Sequence, residues 1–171
     1  MSAVLSQPDI YRLLGKKPPL VESYLNLEEQ LQPNGFDLTL REVALLQSSG
    51  KIAIKDAERH LPELAPLVFD GLGFIDLLPG IYSVTYNEVV HLPKTLMALA
   101  RPRSSLLRCG VTVGTAVWDA GYSGRSQSLM VVYNPRGFRV QQNARIVQLI
   151  FLRLSQATKG YHGAYQHENI A

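Results

Sequence analysis

From residue 35 onward the apolar positions fall in short runs, several alternating with polar residues, and the runs are broken by Gly, Pro and Asn. That pattern predicts antiparallel strands over residues 36–42, 43–47, 51–54, 74–77, 80–85, 89–91, 96–101, 110–115, 129–133, 138–140 and 145–154. So many short strands predict a mainly β domain, a distorted antiparallel barrel or jelly-roll-like sandwich. Residues 56–64 can instead form a brief helix. Ahead of the strands, residues 6–15 read as a short helix: Ser6 is the N-cap, Pro8 sits in the first turn, Asp9 lies near the positive end and Gly15 is the stop. It is too short to stand alone and has to pack on the strands. Residues 16–33 carry Pro18, Pro19 and Pro33 and suit an extended connection, with a turn over 25–31.

The 171 residues suit one domain large enough to bury about two-thirds of its unfolded surface. We read residues 1–155 as that domain and 156–171 as a polar, mobile tail. The longest apolar run, at 146–152, falls far short of the ~20 residues of a membrane span, and no secretory signal is visible. A cytoplasmic protein is expected. One cysteine, Cys109, excludes an internal disulfide and a Cys-based metal cage, and its flanks Leu107 and Val111 suit simple burial.

The net charge of +3 is modest but unevenly placed. After Asp119 the only acidic residue is Glu168, while Arg125, Arg136, Arg139, Arg145, Arg153 and Lys159 all follow. A basic C-terminal half favours an anionic ligand, either a nucleotide or a nucleic acid, although a solvated basic face gives the same composition.

Two strings carry chemistry. Arg103-Ser104-Ser105 with Arg108 supplies guanidinium forks, hydroxyls and, if a helical turn begins here, free backbone N–H groups, all of them ligands for phosphate oxygens. Alone, such a string more often marks a surface turn. Asp119 follows an apolar run and precedes Ala120-Gly121-Tyr122-Ser123-Gly124, a glycine-rich turn that can aim a carboxylate into a cleft beside an aromatic ring. Such an acid can orient or deprotonate a water for in-line attack on phosphorus; it can equally cap its own turn. The histidines, at 60, 91, 162 and 167, are too scattered for a metal cluster, and neither a Walker string nor a Gly-x-Ser-x-Gly elbow occurs.

With these strings the chain resembles the superfamily of trimeric dUTP diphosphatases and dCTP deaminases, most of all its archaeal-type dUTPase branch. Gln32-Pro33-Asn34-Gly35-Phe36-Asp37-Leu38 resembles the first family motif and Arg103-Ser104-Ser105-Leu106 the second. Asp119 to Gly124 resembles the third, and Ala144-Arg145-Ile146-Val147-Gln148-Leu149-Ile150 the fourth. The resemblance implies a homotrimer whose sites are built from neighbouring subunits. It implies that Asp119 handles the hydrolytic water and that Arg103, Ser104, Ser105 and Gln148 bind the triphosphate, with Arg108 near the base or phosphates. Tyr122 would lie against the deoxyribose and leave no room for a 2′-hydroxyl. Asp37 would help hold a magnesium–triphosphate through water, Mg²⁺ being the expected cofactor. A hairpin over 113–117 and 129–132 would take the pyrimidine, and the tail would close over the triphosphate with Tyr161 and Gln166. The implied partner is dUTP or a related deoxynucleotide, not a nucleic acid or a membrane.

Deaminases of the superfamily need a glutamate on the returning strand to shuttle protons between water and the ring. Here that position falls at Val131, or at Leu129 when counted from Asp119, because the intervening segment is about two residues longer than usual. An aliphatic side chain cannot do acid–base work. The implied reaction is therefore hydrolysis of dUTP to dUMP and pyrophosphate. The alternatives are a dCTP deaminase, alone or bifunctional, and a non-catalytic nucleotide-binding trimer, which Ala164 in place of the tail's usual lysine keeps open.

Overall fold

The computed structural model describes residues 3–170. In chain order the elements begin with α1 (Gln7–Leu14), β1 (Val21–Glu22), α2 (Leu27–Gln30), β2 (Leu31–Gln32) and β3 (Gly35–Leu46). After a 3₁₀ turn at Asp56–Glu58 come β4 (Leu64–Pro66), β5 (Phe74–Leu77), β6 (Gly80–Tyr86), β7 (Val89–His91) and β8 (Leu96–Pro102). The rest is α3 (Ser104–Arg108), β9 (Val111–Gly114), β10 (Ser123–Gly124), β11 (Gln127–Val132), β12 (Phe138–Gln141) and β13 (Arg145–Arg153).

The main sheet runs β8-β13-β3-β6-β11-β9, with β2 and β4 also paired to β3, and every pairing is antiparallel. Its two end strands, β8 and β9, are joined by α3 and lie against each other, so the sheet curls into a near-closed, distorted barrel. Small sheets β1-β7-β10 and β12-β5 complete the mainly β domain. Among the described residues no helix is long and apolar enough to cross a membrane.

Alternation sets what faces inward. Phe36, Leu38 and Leu40 of β3, Val84 and Tyr86 of β6, Met130 and Val132 of β11, and Ile146, Leu149 and Phe151 of β13 fill the interior. Each of these large side chains contributes about 1.5–3 kcal/mol by leaving water. The opposite face of β3 is polar yet also buried, because Asp37 and Thr39 are covered by Gln30 of α2 and by Glu88. The helix α1 packs Ile10 onto this body and is held by Leu5 N–H on Phe151 O at 3.0 Å and Gln7 N–H on Pro33 O at 2.8 Å. Its first turn is closed by Asp9, which accepts from the Ser6 hydroxyl at 3.0 Å.

Three strand expectations change. The runs 36–42 and 43–47 are one strand, β3, whose charged Arg41-Glu42 pair falls at the register shift in its pairing with β6. Residues 51–54 form no strand: only Lys51 bridges to His60, and Ile52 and Ile54 stand in solvent at 81% and 106% exposure. The sequence reading missed β4, which carries Pro66 on the edge of β3. Of residues 56–64 only Asp56–Glu58 is helical.

Candidate active site

The antiparallel register gathers one group of predicted residues. Gln148 of β13 lies opposite Asp37 of β3 on one side and Arg101 of β8 on the other, and β8 ends by delivering Arg103 to the start of α3. The Asp37 carboxylate is 2% exposed, with Oδ2 at 3.2 Å from Arg103 and 3.5 Å from Arg145. Burial pushes the Asp37 carboxyl up from its ordinary value, against the downward pull of Arg103 and Arg145. Gln30 donates to the Asp37 carbonyl at 2.9 Å and to Glu88 at 2.6 Å, and Glu88 also accepts from the Thr39 N–H and hydroxyl. The strand bearing Asp37 is thus fixed from behind by a closed polar network. Ser104, Ser105 and Arg108 are exposed on α3, free to meet a ligand.

The second group lines a cavity of about 390 Å³. Its wall includes Ala116, Val117, Trp118, Asp119, Tyr122 and Ser126 from the barrel, and Tyr161, Tyr165 and Glu168 from the tail. Asp119 is exposed, and its carbonyl accepts from Tyr122 N–H at 3.0 Å to close the turn. That turn is pinned to β8 by the reciprocal Trp118–Ala98 backbone bridge and to residue 92 by two further backbone hydrogen bonds. Ala116 and Val117 also line a groove of about 430 Å³ that extends to Arg101, Pro102 and Leu107. The 115–117 segment therefore separates the Asp119 cavity from a recess beside α3.

Residues 156–170 run along the Asp119 turn. Tyr161 N–H donates to Ala120 O at 2.8 Å, His167 N–H to Ser123 O at 2.7 Å, and Arg125 N–H to Glu168 O at 2.9 Å. Arg125 and Asn169 exchange two more bonds, Nε–H on Asn169 O at 2.9 Å and Nδ2–H on Arg125 O at 3.0 Å. Gln166 brackets Tyr122, accepting from Ser123 N–H and donating to Gly121 O, both at 3.1 Å. Close approach at Gly121, where φ is +86°, is what lets the tail dock: a Cβ there would sit 2.7 Å from Gly160 Cα.

The fold agrees with what the chain is similar to. The dCTP deaminase-like family matches residues 4–154. The chain belongs to this family. It is 49% identical over 168 residues to the probable deoxyuridine 5′-triphosphate nucleotidohydrolase of Methanosarcina mazei, covering 98% of each chain. A protein of the same description from Archaeoglobus fulgidus is 50% identical over 168 residues, again covering 98% of each. Among solved structures, the 2′-deoxycytidine 5′-triphosphate deaminase of Agrobacterium tumefaciens superposes with a TM-score of 0.65 at 23% identity. That match covers 89% of this chain and 48% of the deaminase chain, so it bears on the fold.

Within this dCTP deaminase-like chain the expected site residues are divided. The Asp119 cavity holds Asp119, Tyr122 and Tyr161 but none of Arg103, Ser104, Ser105, Arg108 and Gln148. Hairpin strands β9 and β11 pair as expected, yet Val131 is not in the cavity wall: its neighbours Met130 and Val132 point into the core, so Val131 shares the outer face with exposed Ile81 and Leu129. Gln166, expected at the nucleotide, has both ends of its amide engaged by the turn backbone. The donor set does not fit a resident Mg²⁺. Asp37 is buried between two arginines, and among the described residues no three His, Cys, Asp or Glu side chains converge as metal ligands.

The sequence reading missed Glu168. Its carboxylate enters the cavity and accepts from the Tyr122 hydroxyl at 2.8 Å, and burial pushes its own ionisation upward. The signal was present: Glu168 is the only acid in the basic stretch after Asp119.

Proposed function

We propose that this chain hydrolyses dUTP, taken as its magnesium complex, to dUMP and pyrophosphate. The observation that carries the reading is the pairing of Asp119, at a cavity of nucleoside size, with neutral side chains at both positions of β11 where a deaminase would need its glutamate. The names of its close relatives point the same way.

In this reading Asp119 orients a water and accepts its proton as the water oxygen attacks the α-phosphorus; the bond from that phosphorus to the bridging oxygen breaks, and pyrophosphate leaves. Phosphoryl chemistry of this kind asks the protein for positioning and charge neutralisation. Arg103, Ser104, Ser105, Arg108 and Gln148 supply them, and Asp37 holds the Arg103 guanidinium in place at 3.2 Å. Tyr122 lies against the deoxyribose. Mg²⁺ would enter with the substrate and supply charge neutralisation to the triphosphate.

A homotrimer is the assembly that this reading expects, and the division of the site supports an assembly of subunits. The Asp119 cavity is lined by none of the cradle residues of its own chain, and in this reading a neighbouring subunit would bring its cradle to that cavity. Exposed Leu45, Ile81 and Leu129, on the adjoining strands β3, β6 and β11, supply apolar surface for such contacts. The cellular use would be to keep uracil out of DNA and to supply dUMP.

Incubation with dUTP, dCTP and dTTP plus Mg²⁺, with product analysis, tests the reading. Release of dUMP and pyrophosphate from dUTP, without ammonia from dCTP, is expected. Asp119→Asn abolishes that turnover while retaining nucleotide binding; full turnover in this variant refutes the role given to Asp119.

A further inference from the structure

Four groups form a single hydrogen-bonded chain through the cavity wall. Trp118 Nε1 lies 2.5 Å from Ser126 Oγ, Ser126 Oγ lies 2.9 Å from Tyr122 Oη, and Tyr122 Oη lies 2.8 Å from Glu168 Oε1. Chemistry fixes its direction. An indole N–H can only donate and a carboxylate can only accept, so each hydroxyl between them accepts on one side and donates on the other. Burial raises the Tyr122 hydroxyl far above ordinary phenol behaviour, so it keeps the proton it donates. Serial donation of this sort strengthens each member.

The chain clamps the Tyr122 ring at its tip. The ring's flank meets Tyr161 edge-on, at 5.8 Å between centroids and 66° between planes. Beneath the hydroxyl lies Gly124, where a Cβ would come within 2.5 Å of Tyr122 Oη and 3.2 Å of Glu168 Cγ. A glycine at that position is thus required by the seat that the hydroxyl and the carboxylate share. Ser126, the other partner of the ring, lies in the two-residue link between β10 and β11.

We propose that Glu168, reaching in from the C-terminal tail, is a positioning residue for sugar selection: by accepting from the Tyr122 hydroxyl it fixes the ring that rejects a 2′-hydroxyl. The inference rests on the dUTP-hydrolase reading. Glu168 touches no reacting atom; it acts through Tyr122. Ribose exclusion in this chain then depends on the tail being docked, and a nucleotide is tested for its sugar only when Glu168 is in place.

The test compares dUTP with UTP. Turnover of both, and binding of their α,β-imido analogues, are measured for the full-length protein, Glu168→Ala, Glu168→Gln and Tyr122→Phe. Loss of a hydrogen bond to a charged acceptor predicts that the preference for dUTP over UTP falls at least about tenfold in Glu168→Ala. It falls comparably in Tyr122→Phe, which keeps the ring and leaves the tail sequence intact. Glu168→Gln, whose amide oxygen still accepts, recovers most of the preference. A purely structural role of the tail lowers both substrates alike and leaves the ratio unchanged; that result in Glu168→Ala overturns the proposal while leaving the hydrolase reading standing. Should the wild type bind the analogues without cleaving dUTP, the hydrolase reading fails, and the ratio of binding constants still decides the role of Glu168.

Discussion

Gly121→Ala probes whether the tail is part of the wall or an ornament on it. The new methyl group would lie 2.7 Å from Gly160 Cα and 2.9 Å from Tyr161 N, both backbone atoms, at a φ of +86°. A left-handed non-glycine residue costs roughly 1–2 kcal/mol by itself, and the methyl contact forces the tail to withdraw. Docking through the backbone hydrogen bonds at Tyr161, Arg125 and His167 is worth about 1 kcal/mol for each bond. Loss of about 3 kcal/mol raises the open population by roughly a hundredfold. Hydrogen exchange followed by mass spectrometry or NMR reads this directly: the Tyr161 and His167 amides exchange about a hundredfold faster, while core amides of β13 are unchanged. A folded Gly121→Ala protein in which those two tail amides keep wild-type protection would show that the close approach at Gly121 does not hold the tail.

Two further predictions concern buried carboxyl groups. Glu88→Ala leaves the Thr39 N–H without its acceptor and removes one from Gln30, so urea denaturation is expected to show a loss of about 3 kcal/mol; a change below about 0.5 kcal/mol would mean the network behind Asp37 is idle. Burial raises the ionisation of Asp37, Glu88 and Glu168 above the ordinary 3.8 for Asp and 4.5 for Glu. The native state then binds more protons than the unfolded chain just above those values, so stability falls as pH climbs from them through the raised ones. Surface Asp9 and Asp70 are lowered, Asp9 chiefly by hydrogen bonds from Ser6 and Asp70 chiefly by the Phe74 N–H, so they pull the other way only below the ordinary 3.8. Melting temperatures measured in high salt across the mildly acidic range are expected to decline with rising pH, and a steady rise would contradict the assignment.

Much of the site was legible because its signals are local. Pro102 ends β8 and sets Arg103 at the head of α3, and the Asp119 turn is spelled out by Gly121 and Gly124. What was not legible depends on partners far away in sequence. Ile52 and Ile54 have strand-like side chains, yet strand formation needs a neighbour, and none pairs with them. Residues 64–66 carry no alternating pattern and include Pro66, whose missing N–H costs little on the edge of β3. Glu168 sits in a polar tail whose composition reads as frayed; its value comes from Tyr122, 46 positions earlier. Asp37 looked available for a cation until β13 laid Arg145 beside it.

Because one wall of the Asp119 cavity is made by Tyr161, Tyr165 and Glu168, the pocket cannot exist until synthesis has passed residue 168. A stop codon just after β13 would spare every strand of the barrel and still erase that wall. An insertion directly behind Glu168 would likewise sit at the rim of the pocket, whereas one placed ahead of α1 would leave that wall undisturbed.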